Sequence, residues 1–94
     1  MTPSASRHSS PVPWAVERAG AHPIVTNASD EPLEYVKALV FDGNERLHAE
    51  SWGLVLPGDH SELCLCGIEP SDASVALIWF RAGDNQELLW RFVL

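Results

Sequence analysis

Leu33-Glu34-Tyr35-Val36-Lys37-Ala38-Leu39-Val40-Phe41 is the stretch on which the fold turns. Read with period two, it places Val36, Ala38 and Val40 on one face and Tyr35, Lys37, Leu39 and Phe41 on the other, as a strand does. Read with helical period, it places Leu33, Val36 and Val40 on one stripe, with Ser29 positioned as a helix cap. The segment is short and dominated by β-branched and aromatic residues, which favours the strand. A helix near 30–41, and with it an α+β fold, is the competing expectation.

The flanks of this segment are turn chemistry. Asn27-Ala28-Ser29-Asp30-Glu31-Pro32 precedes it and Asp42-Gly43-Asn44 follows it. Upstream, Trp14-Ala15-Val16 and Pro23-Ile24-Val25-Thr26 read as two short strands, the second with its proline at a tolerated strand start. Downstream, Arg46 to Glu50 is ambiguous. Trp52-Gly53-Leu54-Val55-Leu56 is extended and ends at Pro57-Gly58-Asp59, where proline presets φ and glycine accepts a positive one. Glu62 to Cys66 reads as a strand, Gly67 to Asp72 as a turn, Val75 to Arg81 as a strand, Gly83-Asp84-Asn85 as a hairpin turn, and Leu88 to Leu94 as the last strand. Short strands punctuated in this way predict an all-β antiparallel sandwich of about seven strands.

The turn motifs carry a resemblance. Thr26-Asn27-Ala28-Ser29-Asp30-Glu31-Pro32-Leu33, followed by Val36 and Val40, and Leu56-Pro57-Gly58 before an alternating strand, resemble bacterial immunoglobulin-like modules. In these modules an "N-x-S/G-x-x-P" turn joins the second and third strands, and an "L-P-G" turn precedes the fifth. The resemblance spans roughly residues 12–94 and implies an immunoglobulin-like sandwich serving as a spacer or binding domain.

The whole chain is 94 residues long with a formal charge of −7, and 46% of it is hydrophobic. These values fit one domain with its own core. Residues 1–11 are small, polar and aperiodic and read as a disordered tail; 12–94 reads as the domain. Six scattered basic residues against thirteen acidic ones argue against phosphate neutralisation, so neither nucleic acid nor an anionic membrane is an expected partner. Neither a signal-peptide pattern nor an apolar run of transmembrane length is visible. Two cysteines, Cys64 and Cys66, make no disulfide framework, and the expected location is cytoplasmic. Asn27-Ala28-Ser29 also matches the glycosylation sequon, which matters only on a secretory route.

No segment carries catalytic spacing. Cys64 and Cys66, with His60 and His48, offer thiolate and imidazole ligands, but the finger spacing and a second pair are missing, so packing is the simpler role. A cysteine nucleophile with His48 or His60 would need a placed neighbour to lower the thiol pKa. No metal, cofactor or enzymatic activity is expected. Trp14, Trp52, Trp79 and Trp90 suit either core packing or, if exposed, a sugar-stacking platform.

The last hairpin stands out. Val75, Leu77 and Trp79 share one face and Ala76, Ile78 and Phe80 the other; Leu88, Trp90, Phe92 and Leu94 oppose Leu89, Arg91 and Val93. Both faces are largely apolar, whereas a sandwich covers only one. Ala76, Ile78, Phe80, Leu89, Arg91 and Val93 are therefore the candidate interface residues. The expected function is a non-catalytic protein-interaction module that contacts a protein partner or self-associates through this hairpin. The alternative is a small-ligand or glycan binder that uses exposed tryptophans.

Overall fold

Residues 33–42 form a strand. The computed structural model describes residues 12–18, 22–65 and 73–93, and among them there is no helix. The strands are β1 (Trp14–Glu17), β2 (Ile24–Asn27), β3 (Leu33–Asp42), β4 (Glu45–Val55), β5 (His60–Glu62), β6 (Ala73–Arg81) and β7 (Glu87–Val93). The expected tail 1–11, the turn 67–72, Cys66 and Leu94 lie outside the described residues.

The strands make two antiparallel sheets, ordered β1-β2-β5 and β4-β3-β6-β7. Val25, Trp14, Leu63 and Leu65 from the smaller layer share one buried cluster with Val36, Ala38, Val40, Val75, Leu77, Trp79 and Phe92 from the larger. The described residues thus form a seven-stranded antiparallel β-sandwich. Val36, Ala38 and Val40 are each 0% exposed while Lys37 between them faces out. Side chains that alternate in this way commit the segment to a sheet that is buried on one side.

Leu33 joins Val36 on the buried face, three residues away, which simple alternation forbids. A bulge at Tyr35 is the cause. Against β6, Glu34 pairs with Phe80 and Lys37 with Ile78, so β3 carries one extra residue there. Tyr35 has φ +53°, the left-handed region that costs a non-glycine residue about 1–2 kcal/mol. β4 answers with its own irregularity: Val36 pairs with Gly53 and Lys37 with Ser51, and Gly53 has φ +69°. The two shifts cancel between β3 and β4, and the register past Lys37 is regular as far as Val40.

The turn motifs fold into one clamp. Asn27, 0% exposed, donates from Nδ2 to the carbonyls of Glu31 and Val55, both at 3.0 Å. Its Oδ1 accepts the Ser29 amide at 2.9 Å and the Ser29 hydroxyl at 2.6 Å. The Asn27 main chain closes the other side: its amide donates to Asp59 and its carbonyl accepts from Gly58, both at 2.9 Å. Asparagine fits because one side chain supplies two donors and an acceptor to a buried junction. The same burial withdraws the amide nitrogen that a glycosylation sequon would need exposed.

The fifth strand lies earlier than the alternation of Glu62 to Cys66 suggests. β5 pairs with β2 through His60, Ser61 and Glu62. The Leu63 amide still donates to the Pro23 carbonyl at 2.9 Å, but proline has no N–H to return, so the ladder stops. Leu63 and Leu65 stay buried and Cys64 turns outward. The ambiguous segment Arg46 to Glu50 belongs to β4, an edge strand exposed along most of its length.

Candidate functional site

The six hairpin residues singled out by their alternation lie on one face of the larger sheet. Ala76 pairs with Arg91, Ile78 with Leu89, and Ser74 with Val93. They face away from the core that Val75, Leu77 and Trp79 enter. Their exposure differs. Leu89 is 64% and Val93 68% exposed, whereas Ala76 is 4% exposed; Ile78 and Phe80 are half-buried.

Arg91 divides this face in two. Its Nε and Nη2 donate to the Ser74 hydroxyl at 3.3 and 3.0 Å, and its guanidinium carbon sits 4.5 Å from the centroid of the Phe41 ring. The side chain therefore spans from β7 to β3, over the strand that carries Ala76. A cation held over an aromatic face and bonded to a hydroxyl is a structural contact, and it closes this end of the sheet. The other end is open. Tyr35, 69% exposed, stands edge-on to Phe80 with centroids 5.8 Å apart. Between Tyr35, Ile78, Phe80, Lys37 and Glu87 lies a shallow groove of about 650 Å³.

Alternation alone places Tyr35 and Phe41 on the outward face of β3, but nothing in the sequence says that β3 lies beside β6. That adjacency extends the hairpin's face across a third strand.

The other candidate residues are dispersed. Trp14 and Trp79 are buried, and Trp52 and Trp90 are half-buried against the core. Trp14 meets Trp79 and Trp52 edge-on at 5.7 and 6.5 Å. A stacking platform would thus have to use Trp52 or Trp90. Trp90 and Leu88 line an open cleft of about 930 Å³ between the layers, with Glu31 and Arg81 at its rim. Arg81 Nε and Nη2 donate to the two Glu31 carboxylate oxygens at 3.0 and 3.1 Å. Those hydrogen bonds hold the Glu31 carboxyl below its ordinary range and raise Arg81 above its own.

His48 meets Glu50 at 2.9 Å, and Trp52 Nε1 donates to the same carboxylate at 3.0 Å. These three alternate along β4 and contain no nucleophile. Cys64 lies on another strand connection, and among the described residues no group of three or more His, Cys, Asp or Glu side chains is arranged to hold a metal. No helix among the described residues is long and apolar enough to cross a membrane.

The fold and surface together define an antiparallel β-sandwich with an apolar outer face on its C-terminal hairpin. The chain matches no family model, no curated protein and no solved structure.

Proposed function

We propose that this chain is a non-catalytic protein-interaction module that works through the β6–β7 hairpin and associates with itself. The observation that carries the reading is the run of adjoining apolar side chains outside the core: Leu89 and Tyr35 are each more than half exposed, with Ile78 and Phe80 between them. A half-solvated sheet ordinarily alternates apolar with polar residues, and contiguous exposed apolar surface marks interaction sites. The formal charge of −7 favours a protein partner over nucleic acid or an anionic membrane.

The immunoglobulin-like assignment is part of the same proposal. It is supported by Asn27 and Ser29 forming the clamp between β2 and β3, and by Pro57-Gly58 turning β4 into β5. Sedimentation velocity over a micromolar concentration series tests the function. A reversible dimer is expected; a monomer throughout the series overturns the reading.

The open cleft beside Trp90 favours one second reading, a small-ligand or glycan site. Tryptophan fluorescence titrated with a glycan panel tests it, and a flat response across the panel rejects it.

A further inference from the structure

We infer that the partner is a second copy of this chain, joined edge to edge through β7 in a register centred on Leu89, so that two four-stranded sheets become one. This rests on the interaction reading above and specifies its geometry.

Two open sheets have four edges, and they are unequally protected. A free edge strand invites pairing unless it is short, bulged, charged or blocked by proline. β1 has four residues and follows Pro13; β5 has three. β4 has eleven residues but shifts register twice along β3 between Leu33 and Lys37 and again between Val40 and Phe41, and it carries Glu45, Arg46, His48 and Glu50. Among the described residues β7 is the least protected edge: its charges are Glu87 and Arg91, and Arg91 is turned back over the Phe41 ring. Its seven residues pair with β6 in unbroken register, it contains no proline or glycine, and its exposed centre is Leu89.

The main chain of β7 is oriented for such a pairing. The Val93 carbonyl accepts a hydrogen bond from Arg18 Nη2 at 2.9 Å, so it points away from β6. Main-chain groups alternate in direction along an antiparallel strand. Those of Glu87, Leu89 and Arg91 therefore share the free side with Val93. A two-fold axis at Leu89 sets Leu89 opposite the partner's Leu89 and Glu87 opposite the partner's Arg91. Each facing pair of free-edge residues exchanges two hydrogen bonds. The ladder ends before Val93, whose carbonyl Arg18 already occupies.

Side chains agree with this register. On the outer face it brings together two exposed leucines and places opposite charges across the seam. On the inner face it sets Leu88 against the partner's Trp90, both half-buried in the single chain. Arg91 is held back over Phe41 and Ser74, so its attraction to the partner's Glu87 is a small, screened contribution. The main-chain ladder and the leucine contact carry the association.

The test uses Leu89→Lys and Leu89→Asp in the full chain. Leu89 is 64% exposed, so both variants retain the fold, and their unfolding transitions verify it. Like charges now face each other at the axis, and each variant alone is expected to dimerise at least about tenfold more weakly than the wild type. An equimolar mixture regains the dimer, because lysine then faces aspartate. Hydrogen exchange read by NMR supplies the second measurement: the amides of Glu87, Leu89 and Arg91 gain protection as protein concentration rises. If the wild type dimerises but the variants match it, the mixture fails to recover, or those amides stay unprotected, edge pairing is overturned while the interaction reading stands. If the wild type is monomeric throughout, both fall.

Discussion

β4 and β7 are the two edges of one sheet, and they solve the edge problem differently. β4 is long, irregular and charged, with Gly53 in the left-handed region and Glu50 holding both His48 and Trp52. β7 has seven residues in unbroken register, with an apolar inner face and an outer face that alternates Glu87 and Arg91 with Leu89 and Val93. Bulges and charges obstruct further strand pairing, so among the described residues β4 is the more obstructed edge and β7 the less. The difference is the ground for the proposed pairing: of the two edges of this sheet, the less obstructed one is offered to the second copy.

The first way to break this comparison is to release β4. Its last residue, Val55, is held through its carbonyl by the buried Asn27 Nδ2, whereas the carbonyl of Val93 at the end of β7 is met by an exposed arginine. Replacing Asn27→Ala leaves the Val55 carbonyl without its donor and removes the acceptor for Ser29, a loss of about 3 kcal/mol. Asn27→Asp is expected to cost at least as much, because a carboxylate turns only acceptors toward the carbonyls of Glu31 and Val55. Urea unfolding measures both, with the midpoint falling at constant slope. A change below about 1 kcal/mol would show that the clamp is incidental.

A sharper test uses the paired bulges. In an ordinary strand glycine is worse than alanine by about 0.5–1 kcal/mol. At Tyr35, with φ +53°, the order reverses: Tyr35→Gly and Tyr35→Ala both lose the contact with Phe80, but alanine keeps the backbone strain. Glycine is therefore expected to be the more stable replacement by about 1 kcal/mol. Gly53 has φ +69° and open space where a methyl group would stand, so Gly53→Ala meets no clash and costs about 1 kcal/mol through the backbone alone. The matching change in β7, Leu88→Ala, involves no backbone strain and reports only lost packing. Thermal or urea unfolding of the four variants reads these differences, and an alanine at position 35 that equals or exceeds the glycine in stability would remove strain from the account of the bulge.

These residues also mark where sequence reasoning stops. The faces of β3, β6 and β7 are legible because each is buried on one side and alternation survives there. The helical alternative for 30–41 draws on Leu33, Val36 and Val40, and all three are buried on one face. A bulge produces the spacing of three that helical periodicity also produces, and a tyrosine gives no sign of a left-handed backbone. The sequence pattern sets β5 too late because Leu63 and Leu65 alternate correctly, whereas the ladder is ended by Pro23 beside another strand. The candidate surface is legible as one hairpin; its extension by Tyr35 and Phe41 depends on strand order, which no local pattern encodes.

The smallest expected effect concerns the turn end of the β6–β7 hairpin. Arg81, the last residue of β6, grips Glu31 in the β2–β3 turn through two hydrogen bonds. These bonds lower the Glu31 pKa from the ordinary value of 4.5, so the ionised carboxylate is favoured by folding. The sign follows from linkage: the contribution is complete above the unfolded value and is lost as pH falls through the lower, folded one. Both side chains are substantially exposed, which keeps the effect small and sensitive to salt. Glu31→Gln should therefore be slightly less stable than wild type near neutral pH, and the gap should close below pH 4.5. The same gap should narrow in high salt. Parallel denaturation curves that keep a constant gap down to about pH 2 would mean that the glutamine disturbs the turn itself rather than the ion pair.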